Sequence, residues 1–497
     1  MRQVSLNLVL RHKSSMVFRM RFSRRPILAA LLASVTASPV LAQVQVQSLD
    51  PPDLFSTPAG QTDLGPDLWK DTAPGIARDV LPKLAAKPLS PAFAVLALRV
   101  VATGANGPVG VGDAPEMGAA RAMALIALGE AAGADAVLDR APGLPTNAAL
   151  SLAAAEAALI RGDDDKACRI GEALTVERGA GYWLRLRAFC QFRAGQSDAA
   201  QLTFSLAQQQ TPKQGGGDAD YARLMGALLS GSATPGAANL RNGINYALSR
   251  KLGLNIRAAA ATASGALRPV VAAPLEAPGA DLAAAETSDL AFLRQAKGLA
   301  AFFEAARTSA PSIAALAQAG GPLQDPVLFA RAALAAGDAA SARSIRSRIP
   351  AEAASPLDLA LLDAMLSAKA GQTDPALLGR LAELGAQGGA KSPAQPATLL
   401  LAALGGALDA DTRARLATFD VGKSAAAPAR LTVLHDAAVA GRQGEAALLA
   451  LSVAADAGVA GPAVADRAAL ARALLRAGLV TDARAVVVEG LLALSLK

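Results

Sequence analysis

A glycine followed five residues later by an alanine recurs through the second half of this chain, at Gly337/Ala342, Gly371/Ala376, Gly405/Ala410, Gly441/Ala446 and Gly478/Ala483. Successive glycines stand 34, 34, 36 and 37 residues apart. That period is the length of one helix-turn-helix unit, and a unit so small cannot cover its own apolar face, so each must stack on a neighbour. The spacing predicts an all-α chain of antiparallel helical hairpins. Composition agrees, because 52% of residues are hydrophobic while only 3% are aromatic, which suits closely packed helices better than sheets.

Two consecutive hairpins between Ala148 and Gln214 carry the pattern most fully. Numbering Gly181 as 1 places Ala188 at 8, Gly195 at 15, Ala200 at 20, Phe204 at 24, Ala207 at 27 and Pro212 at 32. Small residues at 8 and 20 let two helices approach, the glycine ends the first, and the aromatic fills the gap. This stretch resembles a tetratricopeptide (TPR or Sel1-like) repeat, with Gln191 and Phe192 where the family usually has its tyrosine. The preceding hairpin repeats the pattern with Ala155, Gly162 and Ala167, but carries Gly171 at position 24. The resemblance implies an α-solenoid with a right-handed superhelical twist, either continuous or in two arrays. It also implies a concave groove lined by the first helix of each hairpin, where positions 2, 5, 9, 12 and 13 are Tyr182, Arg185, Phe189, Phe192 and Arg193. Aromatic and arginine side chains dominate binding hot spots, and the two arginines are the stronger candidates because the phenylalanines serve equally well as core.

The N-terminus reads as an address. Seven basic residues from Arg2 to Arg25 precede an apolar run, Ile27 to Ala37, which ends in Pro39-Val40-Leu41-Ala42. This is the pattern of a secretory signal peptide cleaved after Ala42, with Met20 as an alternative start. Ser23-Arg24-Arg25-Pro26 resembles a twin-arginine motif, though ordinary secretion is the preferred route. The expected location is the bacterial periplasm, with no transmembrane segment after cleavage. The whole-chain charge of +7 equals those seven leader residues, so the mature chain is balanced and its charge gives no reason to expect nucleic acid. Cys168 and Cys190 each lie 11 residues from Gly179, a turn that would bring them level on antiparallel helices. A disulfide is expected in an oxidising compartment.

The remaining divisions are 43–74 as an extended or disordered arm, 75–214 as N-terminal repeats, 215–287 as an irregular helical or linker region, and 288–497 as C-terminal repeats. Phe55 and Trp69 in the arm either dock on a partner or lie on the protein's own surface; the second is the simpler reading. The final helix, Ala485 to Leu496, is apolar where a terminal repeat is usually polar, which points to self-association. Gly107, Gly110 and Gly112 lack the spacing of a phosphate loop, and Gly422-Lys423-Ser424 lacks the upstream glycine of one. Asp163, Asp164 and Asp165 suit a helix start better than a calcium site. His435 alone can build neither a zinc site nor a hydrolytic triad. No catalytic residue, cofactor or metal is expected. The expected function is a periplasmic scaffold for an envelope protein or an extended peptide. The alternative is a peptidoglycan- or polysaccharide-associated factor like the superhelical part of a soluble lytic transglycosylase.

Overall fold

The computed structural model describes residues 53–496 except 211–217, 232–234, 273, 276–278 and 280. The leader, the start of the arm, Pro212 and Gly215-Gly216-Gly217 therefore lie outside the described residues. Among the described residues all regular structure is helical, without strands. The first eight α-helices are α1 Pro74–Ala86, α2 Pro91–Ala102, α3 Pro115–Ala127, α4 Ala131–Leu138, α5 Ala148–Arg161, α6 Asp164–Ala173, α7 Gly181–Arg193 and α8 Ser197–Gln209. The less regular middle holds α9 Ala219–Ser230, α10 Gly243–Lys251, α11 Arg268–Val271 and α12 Leu282–Gln295. Then come α13 Leu299–Ala319, α14 Pro326–Ala335, α15 Ala339–Arg346, α16 Pro356–Ala370, α17 Pro375–Gln387 and α18 Ala394–Ala402. The last five are α19 Ala410–Leu416, α20 Pro428–Val439, α21 Gln443–Ala457, α22 Val464–Arg476 and α23 Val480–Ser495.

All five periodic glycines sit between two helices in the left-handed region, with φ of +91°, +73°, +89°, +70° and +85° from Gly337 to Gly478. Only glycine takes that conformation without a steric cost. The alanines that follow do not all do the same job. Ala342, Ala446 and Ala483 are fully buried, whereas Ala376 and Ala410 are exposed. The turn explains the difference. Where the second helix begins two residues after the glycine, the alanine falls one turn in and faces the partner helix. In α17 and α19 the helix begins four or five residues after the glycine, so the alanine lies in the first turn and Leu378 or Thr412 is buried instead. In the N-terminal pair, Ala167 and Ala200 follow the short-turn rule.

Residues 53–73 form turns pressed onto the protein. Phe55 and Trp69 are buried and meet edge to face, with ring centroids 5.8 Å apart. The buried Arg121 of α3 holds this segment by donating to the carbonyls of Leu54, Thr57, Val101 and Thr103. Burial lowers its pKa to about 10. The glycine loop serves the same packing, since a Cβ on Gly107 would stand 2.5 Å from Gly112 and one on Gly112 would stand 2.5 Å from the Asp53 carboxylate. Asp53 in turn accepts the Gly107 N–H at 2.6 Å.

The two ends of the described chain meet. Helix α1 packs on α21, and α2 packs on α21 and α23. Glu489 of α23 accepts the Ser90 hydroxyl at 2.7 Å and the Ala92 N–H at 2.5 Å, so it caps α2, and it also pairs with the buried Arg467 of α22. Glu445 of α21 accepts the N–H of Ala73 at 2.7 Å, at the start of α1. Arg99 of α2 pairs with Asp482 of α23. Lys87 and Arg430 both hold Asp456, whose pKa they lower to about 2. Helix α23 is accordingly surrounded by α2, α14, α16, α18 and α22. This corrects the reading of its apolar sequence as a self-association surface: the apolar face is covered by the same chain.

Three local features depart from what the glycine and proline positions alone suggest. The break in the hairpin over 115–141 falls at Gly129, with Gly133 inside α4. Pro82 does not break α1. Within the region read as irregular or linker, residues 265–271 are packed on the protein: Leu267 and Val271 are buried and Pro269 lies against Gly129. The expected disulfide is present, with the Cα atoms of Cys168 and Cys190 5.6 Å apart on α6 and α7; closing a loop of this size contributes about 3 kcal/mol in the chain-entropy account.

Removing Glu489 would strand Arg467, Ser90 and the Ala92 N–H together. Breaking a buried pair costs about 3–5 kcal/mol. Glu489→Ala is therefore expected to lower the unfolding free energy by about that amount in urea titrations; a loss below about 1 kcal/mol would contradict the clamp.

Candidate functional site

Helix α5 is an apolar run with one acid in it, Glu156. Helix α10 packs against α5 and α9 and touches α7, and its first residue, Gly243, donates its N–H to Glu156 Oε2 at 2.8 Å. A carboxylate at a helix start is favoured by the free N–H groups and the helix dipole. Between these helices and α3 lies a half-open pocket of about 260 Å³ lined by Met123, Leu152, Glu156, Tyr182, Arg185, Asp218, Asn242, Ile244 and Asn245.

Around this pocket Arg185 Nε and Asn245 Oδ1 are buried without a partner, and Glu156 Oε1 and the Tyr182 hydroxyl, also buried, have only each other. Buried polar groups are nearly always paired, and each exception costs about 1–3 kcal/mol, so their concentration here makes this pocket the candidate site. The neighbouring atoms are committed. Arg185 reaches Asp218 at 3.4 Å and lies over the Tyr221 ring at 5.8 Å. Asn245 donates to Asp218 at 3.3 Å and to Asn239 at 3.2 Å. Asp218 also caps α9 through the Tyr221 N–H at 2.9 Å.

The electrostatics follow from burial. Desolvation raises the Glu156 pKa above the ordinary carboxylate range, opposed in part by the Gly243 N–H, Tyr182 and Arg185. Tyr182 stays neutral, its pKa pushed well up by burial and by the Glu156 charge.

The five groove candidates separate. Tyr182 and Arg185 line the pocket. Phe189 is fully buried in the core and cannot meet a ligand. Phe192 is half-buried against the same core cluster. Arg193 is spent within the chain: it pairs with Asp164 at 2.5 Å and Asp165 at 2.6 Å and lies over Phe189. Asp164 takes a second arginine, Arg250 of α10, at 2.6 Å. Asp163 caps α6 by accepting the Lys166 N–H at 2.9 Å, so the three aspartates do the helix-start work expected of them.

Sequence reasoning missed Glu156, Asp218, Asn242 and Asn245. A signal existed for Glu156, the one charged residue among thirteen from Ala148 to Ile160. None existed for its meeting with α10, 87 residues away. His435 is exposed on α20, and Gly422 occupies a loop turn. Among the described residues no cluster of histidine, cysteine and acids could hold a metal, and no helix is long and apolar enough to cross a membrane. No family model, curated protein or solved structure matches this chain.

The raised pKa of Glu156 fixes a sign. Its favourable contribution is complete below the ordinary carboxylate pKa of 4.5 and is lost as pH rises through the raised value. Glu156→Gln, which imitates the protonated acid, should match the parent's stability near pH 4 and exceed it at about pH 8. A stability difference that stays constant across a pH series of denaturant titrations would show that Glu156 is not held out of its normal range.

Proposed function

We propose that this chain is an exported scaffold of the bacterial cell envelope, built of tetratricopeptide-like helical hairpins whose first and last members close on each other, that holds a partner and does not turn over a substrate. The leader pattern and the disulfide both fit export to the periplasm. The hairpin period, with a left-handed glycine at each marked turn, fits the repeat reading. One observation carries the binding function: four buried polar groups with unused hydrogen-bonding capacity gathered around a single pocket at the junction of α3, α5, α7 and α10. At about 260 Å³ it is smaller than the roughly 300–1,000 Å³ of pockets that enclose drug-sized ligands. It therefore suits one residue or end group of a larger partner.

A wall-acting enzyme is the second reading, because Glu156 and Asp218 place two carboxylates in one pocket and glycoside hydrolysis needs a pair of acids. Glu156, with its raised pKa, could serve as the acid. Asp218 is a poor second member, since it already holds Arg185, Asn245 and the start of α9.

Crosslinked affinity capture of the mature chain, Gln43 to Lys497, from its own envelope fraction tests the choice. The scaffold reading expects one reproducible protein partner whose recovery falls with Arg185→Ala. Recovery of glycan alone, shortened by the purified protein, would overturn it in favour of the enzyme.

A further inference from the structure

We infer that the pocket at Glu156 receives a primary ammonium group with a carbonyl oxygen beside it, on a body carrying an aliphatic side chain. The end group of an apolar-starting peptide and a free apolar amino acid share this chemistry. The inference rests on the scaffold reading and specifies what its pocket takes.

The unused hydrogen-bonding capacity selects the head group. Asn245 Oδ1 is an acceptor without a donor and Arg185 Nε a donor without an acceptor; Glu156 Oε1 and the Tyr182 hydroxyl lie beside each other, and once the tyrosine donates to the acid each still offers a lone pair to a ligand. An ammonium supplies three donors from one atom. A carbonyl or carboxylate oxygen three bonds away supplies the acceptor that Arg185 lacks. Asn245 is fixed in the orientation this needs, because its amide NH₂ already serves Asp218 and Asn239.

Charge decides against a neutral sugar, whose hydroxyls could meet the same atoms. The pocket holds two carboxylates, Glu156 and Asp218, against one cation, Arg185. Burial disfavours the ionised Glu156, and a sugar brings it no counter-charge, whereas an ammonium does. The walls agree, since Met123, Leu152 and Ile244 are aliphatic. Tyr182, the aromatic that lines the pocket, is turned edge to face against Trp183 at 5.0 Å. The four atoms are shut off from water in the free chain. A ligand reaches them when the half-buried Tyr182 and Arg185 side chains draw aside.

Isothermal titration of the full chain with four probes tests this: L-leucine amide, Leu-Gly-Gly, free L-leucine and N-acetyl-L-leucine amide. The expected result is binding of the amine-bearing probes and a loss of about tenfold or more on acetylation, the size of a charged hydrogen bond. Glu156→Gln should weaken the amines by a similar factor. The acetylated probe needs no variant, so the test survives a folding defect. Tighter binding of Leu-Gly-Gly than of free leucine identifies a peptide end as the source, and the reverse identifies a free amino acid. Equal binding of the acetylated probe, or no binding of any amine, overturns the inference. If the amines fail while envelope capture still returns a partner lost with Arg185→Ala, only the ligand assignment falls; if capture fails as well, the scaffold reading falls with it.

Discussion

A buried acid on one helix, accepting the N–H at the start of another helix far away in sequence, is the contact on which this fold depends. Glu489 does this for α2, Glu445 for α1 and Glu156 for α10. Each exploits the unpaired N–H groups of a helix start, where negative charge is favoured. The sequence separations are 397, 372 and 87 residues, so each contact closes a long loop of chain. Glu489 goes furthest, because it also compensates Arg467 and the Ser90 hydroxyl and leaves nothing buried unpaired at its own site. Through it the first hairpin and the last helix become one core.

The same device, left incomplete, makes the candidate site. At Glu489 both oxygens are fully used, whereas at Glu156 one oxygen holds α10 and the other has only the Tyr182 hydroxyl beside it. Arg185 and Asn245 each bring an unpaired atom to the spot. A fully satisfied network rigidifies a core, and a half-satisfied one is costly. Its persistence beside a pocket is the physical ground for assigning binding there. The disulfide between Cys168 and Cys190 ties α6 to α7, one of the helices that line the pocket, and Asp164 fastens both α7 and α10 through Arg193 and Arg250. The pocket's far side is thereby held in place.

How much could be read in advance follows from the range of the forces involved. The hairpins were legible because a left-handed turn demands glycine locally, and all five marked glycines take that conformation. The cysteine pairing was legible because two helices joined at a short turn fix their own register. The roles of Ala376 and Ala410 were not, because two or three extra turn residues shift which residue faces inward. The closure of the ends was also hidden: an apolar α23 reads the same whether its partner is a second molecule or the chain's own α2. The site was half legible. Tyr182 and Arg185 followed from repeat numbering, while Phe189 and Arg193 went to the core and to intrachain pairs. Glu156, Asp218 and Asn245 depend on where α10 lands, which no local pattern encodes.

The most direct test of this account is hydrogen exchange of the native protein, read helix by helix. Closure by Glu489 predicts that α2 exchanges with the slowest group, together with α22 and α23, although it stands near the beginning of the described chain. An α2 that exchanges as fast as a frayed terminus while α22 and α23 stay protected would contradict it, and the fold would then have to be redrawn as an open array with a free first hairpin.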